Sequence, residues 1–301
     1  KKTFIKRSKI ITSIRSYLDL NNYLEVETPV LQPLYGGASA RPFKTHHNSL
    51  NQNFYLRIAD ELYLKRLIIG GFEKVYEISK NFRNEGMDRN HNPEFTSLEF
   101  YSAYSDVYDM MSFTENMIRE VAISNGCDKI NYSGNIIDLN KPFLKKSMFT
   151  LIEEYAGQDV ANLDRNELSD TAKNLNVELE GEMNYGQILD EIFSKFVEPN
   201  LIEPTFVIDY PKAISPLAKT HRNGDENIVE RFELFIAGME FANSFSELND
   251  PIEQRIRLES QAKLRDLGDE EAQIVDENFL QAMEVGMPPT GGVGIGIDRL
   301  I

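Results

Sequence analysis

Residues 82–95 read FRNEGMDRNHNPEF, a polar stretch containing Gly86 and Pro93 between two alternating apolar runs, KVYEISKNF (74–82) and FTSLEFYSAY (95–104). Alternation with period two on both sides reads as two strands, with the polar stretch as the loop between them. The loop gathers Arg83, Glu85, Arg89, His91 and Asn92 and closes on Phe95. Such a loop can wrap a flat, charged ligand. Arg83 offers a planar fork for phosphate or carboxylate oxygens, His91 can donate to a distal phosphate, and Phe95 can stack on a base. Taken singly, Arg83 and His91 read more readily as exposed loop residues, and Phe95 as core.

Outward from the loop, ELYLKRLII (61–69) reads as a helix closed by Gly70 and Gly71. At the start of the chain Ile10, Ile11, Ile14, Tyr17 and Leu18 share one face of an amphipathic helix that stops near Asn21 and Asn22. LEVETPVL (24–31) then alternates as a half-exposed strand up to Pro29. Residues 108–124 and most of 141–200 are rich in helix formers, and the second stretch reads as a helical insertion of about 141–200. Strands return at PTFVIDY (204–210), RFELFIAGMEFANSF (231–245) and GGVGIGI (291–297), with a charged helix over 251–267. Strands joined by hairpins and loops, with helices clustered, predict an α+β domain on a mainly antiparallel sheet.

The chain has 301 residues with 41% hydrophobic content, enough for one large domain with an insertion. Its 32 basic and 48 acidic residues give a net charge of -16, opposite to the broad positive field of a dedicated nucleic-acid binder. Any nucleic acid would be held by local patches. The N-terminal basic cluster (Lys1, Lys2, Lys6, Arg7, Lys9, Arg15) and the acidic run 266–271 both read as solvated faces. Cys127 is the only cysteine, which excludes an intrachain disulfide and a cysteine zinc site and suits a reducing compartment. No apolar run nears the ~20 residues of a membrane helix, and KKTFIKRSKI lacks a signal-peptide core, so a soluble, cytoplasmic protein is expected.

Two further stretches carry chemistry. In RFELFIAGMEF (231–241), a tight turn at Ala237 and Gly238 pairs Phe235 with Glu240 and sets Glu233 diagonal to Glu240 on one face. Diagonal neighbours lie within about 8 Å, and two hard oxygen ligands at that range can share magnesium ions on ATP phosphates, or simply be solvated glutamates. GGVGIGIDR (291–299) lacks the third glycine and the later acidic residue of a dinucleotide fingerprint. Its glycines instead let a strand approach an adenosine, after which Arg299 opens a helix. His46 and His47 are adjacent, without the spacing that lets two imidazoles face one ion, and are read as structural, while His221 is read as a surface residue.

The ordered strings FRNEG, HNPEFT and LEFY resemble motif 2 of the class II aminoacyl-tRNA synthetases, with motif 1 echoed by the opening helix and LEVETPVL and motif 3 by GIGIDRL (294–300). GGASARPF (36–43), ELYLKRL (61–67), FSELND (245–250) and MPPTGG (287–292) are similar to the lysyl-tRNA synthetase branch of that class. The resemblance implies a class II synthetase antiparallel sheet flanked by helices. It also implies a two-step reaction: L-lysine attacks the α-phosphate of ATP to give lysyl-adenylate and pyrophosphate, and the lysyl group then passes to the 3′ end of tRNA(Lys). A homodimer formed through motif 1, and Mg2+ accompanying ATP, are likewise implied.

By the same resemblance, Arg83, Glu85, His91, Asn92, Phe95, Glu233 and Arg299 bind ATP, with Arg83 and Arg299 the catalytic pair clamping the triphosphate and Glu233 and Glu240 holding the metal. Clamping favours in-line attack without a side-chain nucleophile. Lysine falls to Gly37, Glu61, Arg83, Glu99, Tyr101, Asn243 and Glu247: Glu247 and Tyr101 at the side-chain ammonium, Glu61 and Glu99 near the α-amino group, Gly37 and Asn243 as lining, and Arg83 near the carboxylate. A buried ammonium needs paired carboxylates, which this set supplies. Ser244 stands where relatives often have glycine or alanine, and is expected to trim the pocket.

Family members also carry an N-terminal anticodon-binding barrel and continue past motif 3, so residues 1–301 are expected to be the catalytic domain alone. A shorter paralogue that attaches a lysine-type group to elongation factor P is the alternative enzyme. A non-catalytic synthetase paralogue is the second alternative, opposed by the presence of Arg83, Glu85, Glu233, Glu240 and Arg299.

Overall fold

The computed structural model describes residues 1–301 apart from 89, 90, 180, 182 and 267; Arg89 of the loop therefore lies outside the described residues. The chain divides into two compact units, Lys1–Asp106 with Ser246–Ile301, and Val107–Phe245.

The first unit begins with helix α1 (Lys2–Leu20), which buries Ile10, Ile14 and Leu18 at the predicted spacing and ends where Asn22 turns left-handed, at φ 63°. Strands β1 (Leu24–Glu25), β2 (Leu31–Gln32), β3 (Lys44–His47) and β4 (Gln52–Leu56) follow, then helix α2 (Glu61–Ile69). The long strands β5 (Lys74–Phe82) and β6 (Glu94–Ala103) flank the polar loop as predicted. LEVETPVL forms much less strand than expected. Past Glu25 its backbone bonds are taken by Tyr76 O and by the side chain of Glu77, not by a regular ladder.

The second unit holds α3 (Val107–Ser124), the hairpin β7 (Lys129–Tyr132) and β8 (Asn135–Asp138), and β9 (Leu144–Ser147). Helices α4 (Met148–Ala156), α5 (Arg165–Asn174) and α6 (Tyr185–Phe196) make the stretch 141–200 largely helical, as composition suggested. Capping boxes start α5 (Asp164 with Glu167) and α6 (Asn184 with Gln187), each cap being worth about 1 kcal/mol. These helices bury Leu151, Ile152, Ile188, Ile192 and Phe193 against Val207 of β10 (Thr205–Ile208) and Phe235 of β11 (Arg231–Ile236). Each such side chain contributes roughly 1.5–3 kcal/mol. β11 pairs antiparallel with β12 (Met239–Ser246), and β9 runs parallel to β10.

The chain re-enters the first unit through α7 (Pro251–Asp266), α8 (Glu277–Gly286), β13 (Thr290–Gly296) and the short α9 (Ile297–Leu300). Within this unit β1 runs parallel to β5, while β5–β6 and β6–β13 are antiparallel; β2, β4 and β3 form a separate small sheet. One face of β6 sets Phe100 edge-on to Tyr23, 5.6 Å away. The other presents Glu99 and Tyr101, opposite Gly294 and Gly292 of β13. That second face carries the chemistry. α2 lies over it, packing Leu64 and Ile68 on Val75 and Tyr101. Asp276 ties α8 to α2: Oδ1 accepts from Phe279 N at 3.0 Å as the helix cap, and Oδ2 is ion-paired with Arg66.

Antiparallel pairing thus dominates both units, with helices beside it, as the α+β expectation holds. Among the described residues no helix is long and apolar enough to cross a membrane.

Candidate active site

The first unit gathers Gly37, Glu61, Glu99, Tyr101 and Glu247 around the start of α2. Glu61 opens that helix, and Asp60, just before it, gives its backbone N–H to Glu99 Oε1 at 3.2 Å. A carboxylate at a helix N-terminus is favoured by the orphan amides and the dipole. Glu99 Oε2 accepts from the Tyr101 hydroxyl at 3.1 Å. Burial, then the neighbouring charges of Asp60 and Glu61, push the Glu99 carboxyl well above the usual carboxylate range. Gly37 has φ 86°, and a Cβ there would stand 2.9 Å from the Glu61 Cβ, so only glycine lets this loop close on α2.

Glu247 arrives just after β12, and its backbone N–H donates to Thr290 O at 2.8 Å. Its side chain is 1% exposed, and its Oε1 accepts no hydrogen bond. A Cβ at Gly292 would collide with that oxygen and with the Tyr101 ring, so glycine here clears space for two pocket side chains. Burial raises the Glu247 carboxyl to about 8 against the opposing pull of Lys65. The sequence reading missed Lys65: fully buried on α2, its ammonium is ion-paired with both Glu61 and Glu247. Beneath lies a further charged group, with Arg57 Nη1 2.7 Å from Glu77 and its Nε 3.3 Å from Asp60; burial lifts Asp60 to about 7.

The loop and motif 3 meet in the same unit. His91 Nδ1 stands 2.9 Å from Asp88 Oδ2, and its Nε2 is 3.3 Å from Arg299. Arg83 lies over the Phe95 ring at 5.1 Å, and its Nε is buried without a hydrogen-bond partner, an orphaned donor at the loop base. Glu85 is exposed, and Asn92 donates to Glu94 O. Both charged runs lie largely exposed, as expected, with a few surface pairs among them. Glu270 pairs with Arg41 at 3.2 Å, Glu271 feels the charges of Glu85, Arg41 and Arg83, and Arg7 reaches Asp298 at 2.5 Å and Thr96 at 2.8 Å. Asp298 in turn accepts from Thr96 N at 2.7 Å, fixing the start of α9.

The second unit holds Glu233, Glu240 and Asn243. Phe235 pairs with Glu240 as expected, but a bulge then adds one residue to β12, so Glu233 pairs with Asn243 rather than Ala242. Glu240 and Asn243, three residues apart, thereby come to the Glu233 face. Ser244, paired with Phe232, falls on the opposite face, buried, and so does not line the Glu233 face. Glu233 Oε1 is 2.5 Å from Arg231, its Oε2 accepts from Tyr210 at 2.8 Å, and Arg231 also donates to Asn243 at 3.2 Å. Burial raises the Glu233 carboxyl; Arg231 opposes this and Glu240 adds to it. Asp190 of α6, another residue the sequence did not suggest, is pushed to about 7 by burial and by Glu233.

Among the described residues no three His, Cys, Asp or Glu side chains form a metal cluster. Glu233 and Glu240 nevertheless suit magnesium, which commonly takes only one or two protein carboxylates and completes its shell with phosphate and water. His46 and His47 lie exposed on β3, His46 Nδ1 3.4 Å from Asn53 and His47 Nδ1 accepting from Leu50 N, in keeping with a structural role. His221 is not a plain surface residue: it is half-buried, 3.8 Å from Asp209.

A strand–loop–strand ending on a ring-stacked arginine, a glycine strand running into a helix with a second arginine, and a buried acidic pocket beside them define a class II synthetase catalytic fold. The chain belongs to that family: the model described as tRNA synthetases class II (D, K and N) matches residues 1–301. Among curated relatives, the lysine--tRNA ligase of Prochlorococcus marinus (strain MIT 9215) is 55% identical over 306 aligned positions, and that of Clostridium novyi (strain NT) 54%. Both alignments cover 100% of the chain, which spans 59% and 60% of the respective relatives' lengths.

Proposed function

We propose that the chain activates L-lysine with ATP to lysyl-adenylate and serves transfer of the lysyl group to the 3′ end of tRNA(Lys). The observation that carries this reading is the closed acidic pocket, in which the buried Glu247 presents an oxygen without a hydrogen-bond partner beside Tyr101, with Glu61 and Glu99 next to it. An oxygen so placed is costly until a cation meets it. The names of the relatives support the same substrate.

In this reading Glu247 and Tyr101 receive the side-chain ammonium, Glu61 and Glu99 the α-ammonium, and Gly37 and Asn243 line the site. Arg83, with its orphaned Nε, takes the lysine carboxylate and the α-phosphate it attacks. Glu85, His91, Asn92 and Phe95 hold the nucleotide, and Arg299 the far end of the triphosphate. Glu233 and Glu240 hold Mg2+, which would neutralise charge on the phosphates. The chain's contribution is positioning and charge stabilisation, and no side chain need form a bond to substrate. A second copy joined through α1 and the following strand is part of the same proposal, as is a cytoplasmic setting.

Exchange of pyrophosphate into ATP across a panel of amino acids tests the reading. Exchange with L-lysine above all others is expected. A preference for a β-amino lysine isomer would instead indicate the elongation factor P ligase, and lysine binding without adenylate the non-catalytic paralogue.

A further inference from the structure

Lys65 lies within ELYLKRL, yet neither the sequence reading nor the proposed reaction gives it a role. Among the described residues it is the only buried lysine, with no exposed surface on its side chain. It stands one helical turn after Glu61 on α2, a spacing that usually gives an exposed surface pair. Here its ammonium lies between the carboxylates of Glu61 and Glu247. Burial pulls the ammonium toward neutrality, yet Glu247 and Glu61 outweigh it and keep the group above its ordinary range. The same contact acts on Glu247 in the other direction, opposing the rise that burial imposes. Glu247 also faces Glu61, from α2, and the Tyr101 ring beside Gly292, from β6 and β13.

We infer that Lys65 is a positioning and specificity residue: an internal ammonium that engages Glu61 and one oxygen of Glu247, eases the ionisation of Glu247 against its burial, and leaves its other oxygen to demand a cation from the bound amino acid. This rests on the lysine reading above. Two carboxyls this close, without a cation between them, would share a proton. A protonated Glu247 would lose its charge attraction for an ammonium and cost less to leave facing an uncharged chain, and the pocket would lose its reason to choose lysine. Lys65 touches no substrate itself and acts only through the two glutamates.

The test is pyrophosphate exchange by the wild type and Lys65→Met, with lysine and its uncharged isostere norleucine, between pH 6.5 and 9. The expected result for K65M at pH 7 is a KM for lysine raised at least tenfold, with kcat at saturating lysine within about threefold of wild type. Norleucine discrimination should fall by a similar factor. The lysine KM should recover as pH rises and Glu247 loses its proton, which a general loss of packing would not produce. An unchanged KM and selectivity, or a loss independent of pH, overturns the inference while the lysine reading stands. If the wild type shows no lysine-dependent exchange, it is the lysine reading that fails.

A measurement on the unaltered protein covers the case in which K65M does not fold. In 15N spectra of lysine side chains, one solvent-shielded ammonium should exchange its hydrogens slowly and shift on addition of L-lysine. If no shielded ammonium is seen, or if it does not respond to saturating lysine, Lys65 does not sense the pocket and the inference is wrong.

Discussion

His91 Nε2 stands 3.3 Å from a guanidinium nitrogen of Arg299, 208 positions later in the chain. Because Nδ1 faces Asp88 at 2.9 Å, the neutral ring donates there and keeps its Nε2 lone pair for the arginine. The polar loop and motif 3 are thus joined by one side chain, which orients Arg299. Arg299→Ala should slow lysine-dependent pyrophosphate exchange by roughly 10²–10³-fold, the scale for loss of one transition-state charge donor. His91→Ala should cost far less and act mainly on KM for ATP; the two rate profiles measured side by side decide it.

Glu247→Gln keeps the shape of the pocket and removes the charge that would meet the substrate ammonium. Lysine affinity should drop on the order of 100-fold, in line with the few kcal/mol lost when a buried ion pair is broken, while ATP affinity holds. Calorimetric titration with each ligand separately checks both halves.

Gly292→Ala and Gly294→Ala make a matched pair on β13. The first Cβ runs into Glu247 and Tyr101; the second meets nothing closer than 3.8 Å, at Glu99 Cγ. Overpacking should make G292A about 1–3 kcal/mol less stable and weaken lysine binding, with G294A near neutral in stability. Denaturant melts and lysine titrations of both variants give the comparison.

Asp60, raised to about 7, Glu247, raised to about 8, and Glu99, also raised, all bind protons more tightly folded than unfolded. The stability they contribute is complete below the unfolded carboxylate range near pH 4 and is lost as pH climbs through 7 and 8. The free protein should therefore melt on the order of 5 °C lower at pH 8.5 than at pH 5.5. Saturating lysine, bringing ammonium groups to the same carboxylates, should shrink that difference; differential scanning calorimetry reads both.

Asp276→Ala removes both the cap of α8 and the partner of Arg66. A loss of about 1–2 kcal/mol is expected, seen as a lower urea midpoint with unchanged slope.

The long, strongly patterned elements were readable from sequence: α2, β5 and β6 lie where alternation and the glycine stops put them. The β3–β4 hairpin was not, because KTHH and its neighbours are polar and exposed and show no buried face to read. At the site, Glu61, Glu99, Tyr101 and Glu247 were named from their motif words, and the structure brings them together. Lys65 escaped notice because a lysine four residues after a glutamate looks like an ordinary surface pair until Glu247, 182 residues on, closes over it. Its signal lies in tertiary structure. At Gly292 the sequence showed that a side chain is missing and not that Glu247 and Tyr101 fill the room.

The one-residue bulge in the β11–β12 hairpin decides which side chains of that ribbon share a face. In a regular ladder, residues an odd number apart look opposite ways, so Glu240 and Asn243, three apart, share a face only because the bulge takes up one residue; the same ribbon paired without it would turn Asn243 to the far side. Any scheme that grafts or recombines this ribbon has to keep the bulge and its surplus residue together, or lose both. A one-residue gap in a sequence comparison here is therefore compatible with an intact Glu233 face, whereas a one-residue shift of pairing is not.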